Sequence, residues 1–444
     1  AKRIDAAPVA REPAAMTKLA SMLWIALAVG ALGCGDNGDN NPCNGVGEHC
    51  TVIPLDATAA DIQTALINAQ PGDTIGFGAG RYVIDRDLSL TVDNVRLAGA
   101  GSGEDGTILS FATSSGAQGL LITGDASVVE DLGFEDSPGD ALKWEGSTGV
   151  TARRVRVEWT NGPDATNGAY GVYPVQCSNV LIEDTTVRGA SDAGIYVGQS
   201  DNIIVRNNIA RENVAGIEIE NSTRADVYGN LATANTGGLL VFSLPGLQVH
   251  NGAGTRVYDN EIVDNNTPNF APAGNIVGLV PTGTGIAILA GHGVEIYDNH
   301  IANHLSIHIG IVGYNITMRP YTDPLYNPYS DSLYIHDNQL EGVSREPTGP
   351  LGFLLVQGMQ ELGRDPTTAG VASIVWDGDA DPAKVDGNGD LMSQFAICIK
   401  NNTLDGAAAD YVNLRAPLNS GVTPTTDLAP HDCTLPALPP VTLP

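Results

Sequence analysis

Apolar residues in the middle of this chain recur at every second position in short runs, and the runs themselves recur. Residues 202–232, NIIVRNNIARENVAGIEIENSTRADVYGNLA, carry the unit twice. Ile204, Asn207 and Ile209 form its first copy and Val227, Asn230 and Ala232 its second, with Gly216-Ile217-Glu218-Ile219 between them. Thr185, Asn207, Asn230, Asn260, Asn299, Asn338 and Asn402 fill the Asn position, giving a base period of 22–23 residues interrupted by insertions. Copies without Asn end at Leu97, Phe134 and Val157. Short β-branched runs of period two signal strands, and Asn or Gly between them supplies left-handed turns. Three strands and their turns fill one period. Stacking each strand on its equivalent about 4.8 Å away points Ile, Val and Leu inward and aligns the Asn side chains in a ladder. No single lap buries its apolar face, so a core exists only when many laps stack. The pattern therefore predicts an all-β fold, a right-handed parallel β-helix of roughly 10–12 turns. A helical repeat is excluded because helix formers are scarce and the period is two.

The pattern also sets boundaries: 1–34 as a mis-assigned start plus export signal, 35–51 as a polar tether, 52–415 as the β-helix and 416–444 as a Pro-rich C-terminal tail. Residues 16–34, MTKLASMLWIALAVGALGC, have a basic start at Lys18 and an apolar stretch too short for a comfortable membrane span. Ala31-Leu32-Gly33-Cys34 resembles the lipobox of bacterial lipoproteins, which implies that Cys34 becomes a lipid-modified N-terminus. Gly35-Asp36 agrees with outer-membrane sorting; an ordinary cleaved signal is the alternative. In an oxidising compartment Cys43 can pair with Cys50 and Cys398 with Cys433, leaving Cys177 as a small buried side chain. Cys43, His49 and Cys50 alone are too few ligands for a structural metal. Thr58 and Asp61 form a capping box opening a short helix with Ile62, Leu66 and Ile67 on one face, ended by Pro71-Gly72. That helix, with PGDTI and the GxYxI-type run after it, resembles the N-terminal cap and first lap of pectin-lyase-like β-helices.

Charge and insertions then locate candidate chemistry. A net charge of −29 repels nucleic acid and anionic membrane surfaces, and an anionic polysaccharide too unless a cation bridges. Call the Gly-[Ile/Val] strands, beginning at Gly171, Gly194, Gly216, Gly238, Gly285 and Gly310, the floor. Insertions at 160–169 and 264–284 precede floor strands, and those at 243–254 and 314–332 follow them, so loops would wall a trough. If Ile217 and Ile219 face in, Glu218 and Glu220 face out. Lys143, Tyr173, Tyr196, Leu240 and Ala287 align with Glu218; Glu145, Val175, Gly198, Phe242, Leu289 and Tyr314 align with Glu220. The predicted floor thus bears Tyr173 and Tyr196 beside Glu218 and Glu220, Asp192 at the rim, and Trp159, Tyr170 and His250 overhanging from the walls.

Rings over carboxylates suit a sugar. The Glu218 and Glu220 Cα atoms, two apart on a strand, lie roughly 6.5–7 Å apart, compatible with the wider carboxylate separation of inverting glycosidases. The bland alternative is a pair of outward, solvated glutamates. Lyase or epimerase chemistry needs a base plus a cation to quench a carboxylate, for which Lys143, Arg188 and Tyr173 are the nearby groups. No run resembles the tyrosine–aspartate–histidine motif of alginate epimerases. Asp386, Asn388 and Asp390 have calcium-loop spacing, but Ile397 stands where an EF-hand places its Glu. His300, His304 and His308 straddle a strand and turn, and His304 falls at the position of Asn213 and Asn235. No phosphate-binding loop or Ser-His-Asp arrangement is visible.

The runs EWTNGPDATNGAYGVYPVQC, SDAGIYVGQSDNIIVRNN, NVAGIEIENS and VPTGTGI together resemble a family of bacterial exported parallel β-helix repeat proteins, many of them lipoproteins. The resemblance implies the β-helix, a place in the cell envelope, and a possible partner in an exported dihaem c-type cytochrome, since such genes are commonly neighbours. The chain has no CxxCH and so binds no c-type haem itself. The expected function is a lipid-anchored envelope protein, of the outer membrane, with a carbohydrate-binding or carbohydrate-processing groove. As an enzyme it would be a polysaccharide lyase, glycoside hydrolase or epimerase; the alternatives are a cytochrome scaffold or a structural surface protein.

Overall fold

Each lap is three strands, and the strands stack into three parallel sheets. Sheet A holds 12 strands from Cys50–Ile53 to Ile397–Lys400, sheet B 12 beginning at Gly80–Val83, and sheet C 11 from Leu88–Leu90 to Tyr411–Asn413. The computed structural model describes residues 42–43, 49–387, 390–415 and 423–444; the stretch expected to be an export signal, Cys34 and Asn388 lie outside the described residues. Among these, the one antiparallel strand pair is Thr403–Leu404 with Ala407–Ala408. Inward positions are filled as the alternation requires. In one lap Ile195 and Val197, Ile203 and Val205, and Ala210 are all fully buried. Burying a side chain of this kind is worth about 1.5–3 kcal/mol, and the gain exists only because the next lap covers it.

The turn from sheet A to sheet B repeats one backbone conformation. Asp184, Asn207, Gly229, Asp259, Asp298, Asp337 and Asn401 all have φ between 52° and 65°, the region Gly, Asn and Asp enter at least cost. The residue after each is the rung of a ladder. Asn208, Asn230, Asn260, Asn299 and Asn338 each donate Nδ2 to the next Asn Oδ1 at 2.8–2.9 Å. The rung is therefore Asn208, and Asn207 is the left-handed turn before it. Ile203, Ile204 and Val205 are all apolar, so alternation alone does not say which two face in; register pairs Val205 with Val227. A second stack runs Asn213, Asn235, Asn265, with His304 beyond it accepting the same role: its Nε2 bonds Ile262 O at 3.1 Å.

The N-terminal end is covered by α1 (Ala59–Asn68), capped by Thr58 and Asp61. Ile62 and Leu66 are buried beneath it, but Ile67 is exposed, one position off that face. Part of the polar tether belongs to the body: Cys50 opens sheet A and is bonded to Cys43. At the other end α2 (Gly349–Glu361) packs Leu355 and Met359 near Val375, Val412 and Leu414. Cys398 is bonded to Cys433, and Cys177 is a buried free thiol.

Candidate functional site

Register places the floor residues side by side on the outer face of sheet C. One column runs Lys143, Tyr173, then Tyr196, Glu218, Leu240, Ala287 and Gly310. The next runs Glu145, Val175, Gly198, Glu220, Phe242, Leu289 and Val312. Tyr314 is thus not in the second column. The last floor lap is shifted by two, because Ile309 rather than Ile311 pairs with Ile286, and Tyr314 opens a 3-10 turn outside the sheet.

Tyr170, Tyr173 and Tyr196 form a ring cluster with centroids 4.5–4.9 Å apart. The Tyr196 hydroxyl donates to Glu220 Oε1 at 2.6 Å. Asp192, just before the strand Ala193–Gly198, accepts Asn275 Nδ2 at 2.9 Å. Glu218, 1% exposed, has no hydrogen-bond partner on either carboxyl oxygen. Burial pushes Glu218 well above the ordinary carboxylate range, with the neighbouring Glu220 and Asp192 charges adding to it. Burial raises Glu220 to about 7 against the opposing Tyr196 bond. Burial and then Glu220 raise Asp192 to about 7. Asp140 rises to about 6, again through burial.

The glutamates leave the outer face of the sheet yet are not solvated, which corrects both the bland and the open-trough expectations. Phe270, Ala271, Ile276, Val277 and Val280 from one insertion, with Tyr314 and Tyr326 from another, pack against Tyr196, Leu240 and Phe242. Arg319 Nη2 donates to Asn275 O at 3.0 Å, and Tyr326 Oη to Ser243 O at 2.6 Å, tying the loops over the floor. The floor remains accessible at Lys143 and Tyr173: Lys143 Nζ sits 5.1 Å from the Tyr173 ring centroid and 3.2 Å from the half-exposed Glu145.

Of the expected wall residues, one falls elsewhere and one is held by a partner. Trp159 is a core residue whose Nε1 donates to Ser137 O at 2.7 Å; its position on the inner face of a lap overrides the exposure suggested by the adjoining insertion. His250 does stand in a wall loop, but its ring pairs with Asp323 at 2.7 Å. Asp386 and Asp390 close a turn on each other, Asp390 N donating to Asp386 Oδ1 at 3.2 Å. Among the described residues no three His, Cys, Asp or Glu side chains are arranged to hold a metal. Sequence reasoning missed Asp140 and Asn275. Asp140 opens the strand Asp140–Glu145 three positions before Lys143, so the two-residue alternation that marks the floor does not pick it out; Asn275 lies in a non-periodic insertion with no signal to mark it.

Residues 93–244 match the family described as right handed beta helix region, and the chain is a right-handed parallel β-helix. No curated protein matches it. Among solved structures it is similar to the A-module of Azotobacter vinelandii mannuronan C-5 epimerase AlgE4, at 17% identity over 78% of this chain and 91% of that one, TM-score 0.49. It is similar also to the alginate lyase of Paenibacillus sp. str. FPU-7, at 14% identity over 82% of this chain and 97% of that one, TM-score 0.40. A third is the exopolygalacturonase of Thermotoga maritima, at 12% identity over 61% of this chain and 80% of that one, TM-score 0.39.

Proposed function

We propose that the outer face of sheet C is a carbohydrate-binding groove in which Asp192, Glu218 and Glu220 exchange protons with the bound sugar. The observation that carries this reading is the trio itself: three buried carboxyls gathered beside three tyrosines, with burial pushing two of them up to about 7. A general acid or base is most effective with a pKa near the working pH, and perturbed carboxyls gathered in one place mark functional sites more often than structural ones. Tyr173 and Lys143, at the accessible end, supply a ring face and a cation for the sugar. The Asn275 bond to Asp192 supports a requirement for the 264–284 loop to shift before a sugar reaches the trio.

A glycan array probed with wild type and Tyr173→Ala tests the binding half. Wild type should retain a defined set of glycans and the variant lose at least tenfold in affinity; an array blank for wild type removes the reading. Glu220→Gln tests the chemistry, and should keep the bound glycan while product formation, followed by mass spectrometry, falls by two or more orders of magnitude. A second reading, a non-catalytic surface protein, is favoured by the closure of the floor under its own loops, and the absence of any product from retained glycans with wild type would select it.

The location follows the sequence pattern: a lipid anchor on Cys34 in the cell envelope. Metabolic labelling with a palmitate analogue should be lost in Cys34→Ala. Of the two expected partners, the glycan is the one the site residues support; the cytochrome rests on the family resemblance alone.

A further inference from the structure

Beyond the acidic end, the same two floor columns become apolar, and the side chains along one of them shrink. Leu240 is followed by Ala287 and then Gly310. Over these small residues the structure leaves a cavity of about 70 Å³, walled by Leu279, Phe242, Leu289, Leu354 and Val375. Interiors seldom hold a void larger than one water, and a water-sized group needs only about 10–15 Å³. The space therefore takes roughly five such groups. One larger side chain at Ala287 or Gly310 would close it. Gly310 has no backbone need to be glycine, since a Cβ there would meet Ile307 Cδ1 at an ordinary 3.5 Å and its φ is not positive.

We infer that this cavity is a binding site for a short unbranched alkyl or acyl group of about four to six carbons, carried on a neutral head. Apart from Phe242, Thr284, Thr317 and Asp377 the walls are aliphatic, and the two hydroxyls are held locally, Thr284 Oγ1 donating to Pro281 O and Thr317 Oγ1 accepting Arg319 N–H. A chain therefore finds dispersion contacts on most sides while a ring has one face to stack on. Polar partners are nearly absent. Asp377, the one carboxyl in the lining, is committed to backbone: its Oδ2 accepts Gly313 N–H at 2.7 Å and its Oδ1 accepts Asp379 N–H at 2.9 Å. An anionic head would meet that carboxyl within a chain of net charge −29. An alcohol, ester or glycoside would not. The cavity site stands independently of the carboxyl trio; an alkyl group seated here would place a neutral head within a few 4.8 Å lap spacings of Glu218.

The test is ligand-observed NMR on the full chain with n-alkanols from propanol to octanol, beside pentanoate and hexanoate at pH 8. The expected result is a Kd falling about threefold to fourfold per methylene up to five or six carbons and then levelling, with the carboxylates at least tenfold weaker than alkanols of equal length. Gly310→Leu should flatten the chain-length dependence. Should that variant fail to unfold cooperatively, Ala287→Leu serves the same purpose from the neighbouring lap. A wild-type Kd that ignores chain length, carboxylates that bind as tightly as alkanols, or a folded cavity-filled variant that keeps the full dependence would each overturn the assignment. Loss of alkanol binding in Glu218→Gln would also count against it, because the two sites are argued to be separate.

Discussion

Glu183 and Glu218 are the same residue on two faces of one solenoid, and their surroundings drive them in opposite directions. Burial alone would raise Glu183, but Arg206 and Arg153 each hold it at 2.5 Å and bring it below the ordinary range. Glu218 has burial and two like charges and nothing to offset them. Its proton is retained on folding, whereas the unfolded chain releases it near 4.5. Below that pH its contribution to stability is intact; as pH rises, the unfolded state gains by ionising and stability falls. Glu218→Gln removes that loss while keeping the shape. It should unfold within about a degree of wild type at pH 4.5 and several degrees higher at pH 8. Thermal unfolding at the two pH values decides the matter, and an equal difference at both would mean that Glu218 is ionised in the fold. A gain in stability accompanied by a loss of turnover is the usual mark of a residue retained for function. The outward direction of this side chain was legible from the alternation Ile217, Glu218, Ile219, Glu220. Its burial was not, because the covering residues Val277 and Tyr314 lie in insertions with no periodicity.

At the scale of the element, the lap was legible because one local conformation recurs with one local composition. A left-handed Asp, Asn or Gly precedes each Asn rung, so the informative dipeptide is the pair and not the Asn alone. Reading the Asn alone put the rung at Asn207, where two Asn stand together, and reading Gly-Ile alone put the last floor strand two residues late. Each slip comes from a repeat of side-chain types where the turn conformation is what repeats. The ladder makes a sharp prediction. Asn299 donates to Val257 O and Asn338 Oδ1, and its own Oδ1 accepts both Asn260 N and Asn260 Nδ2. Asn299→Ala leaves those buried groups unpaired without any apolar burial in return. At about 1–3 kcal/mol for each unsatisfied group, the variant should lose about 3 kcal/mol or more in urea unfolding. The loss should appear first in laps 253–341, since each lap touches only its neighbours. A loss below about 1 kcal/mol would show that water replaces the missing amide.

For the whole molecule, the feature that composition misreads is the C-terminal tail. Its prolines suggest a loose end, yet residues 433–444 run back along the outside of sheet A. They start at the Cys398–Cys433 bond and pass Glu295, whose Oε2 accepts Leu438 N at 2.9 Å. They continue past Asp226, whose Oδ2 accepts Val441 N at 3.0 Å, to Asn202, whose Nδ2 donates to Thr442 O at 3.0 Å. The column beneath is Cys398, Tyr334, Glu295, Arg256, Asp226 and Ile204, five lap steps or about 24 Å. Nine residues of polyproline-type chain span about 28 Å, so the segment is nearly taut. Proline suits this course: it offers no N–H that could pair with another chain, and the N–H groups of Leu438 and Val441 go to carboxylates. The strap thus joins laps that otherwise touch only through the ones between them. Cys433→Ser should free it, so that the Leu438 and Val441 amides exchange at least a hundredfold faster and a protease trims the last ten residues. Sheet C amides should keep their protection, because the hydrogen bonds of Leu438, Val441 and Thr442 go to residues of sheet A. Should Leu438 and Val441 stay protected without the disulfide, the carboxylate contacts alone would suffice to hold the segment, and Asp226→Asn with Glu295→Gln would then be the variant that releases it.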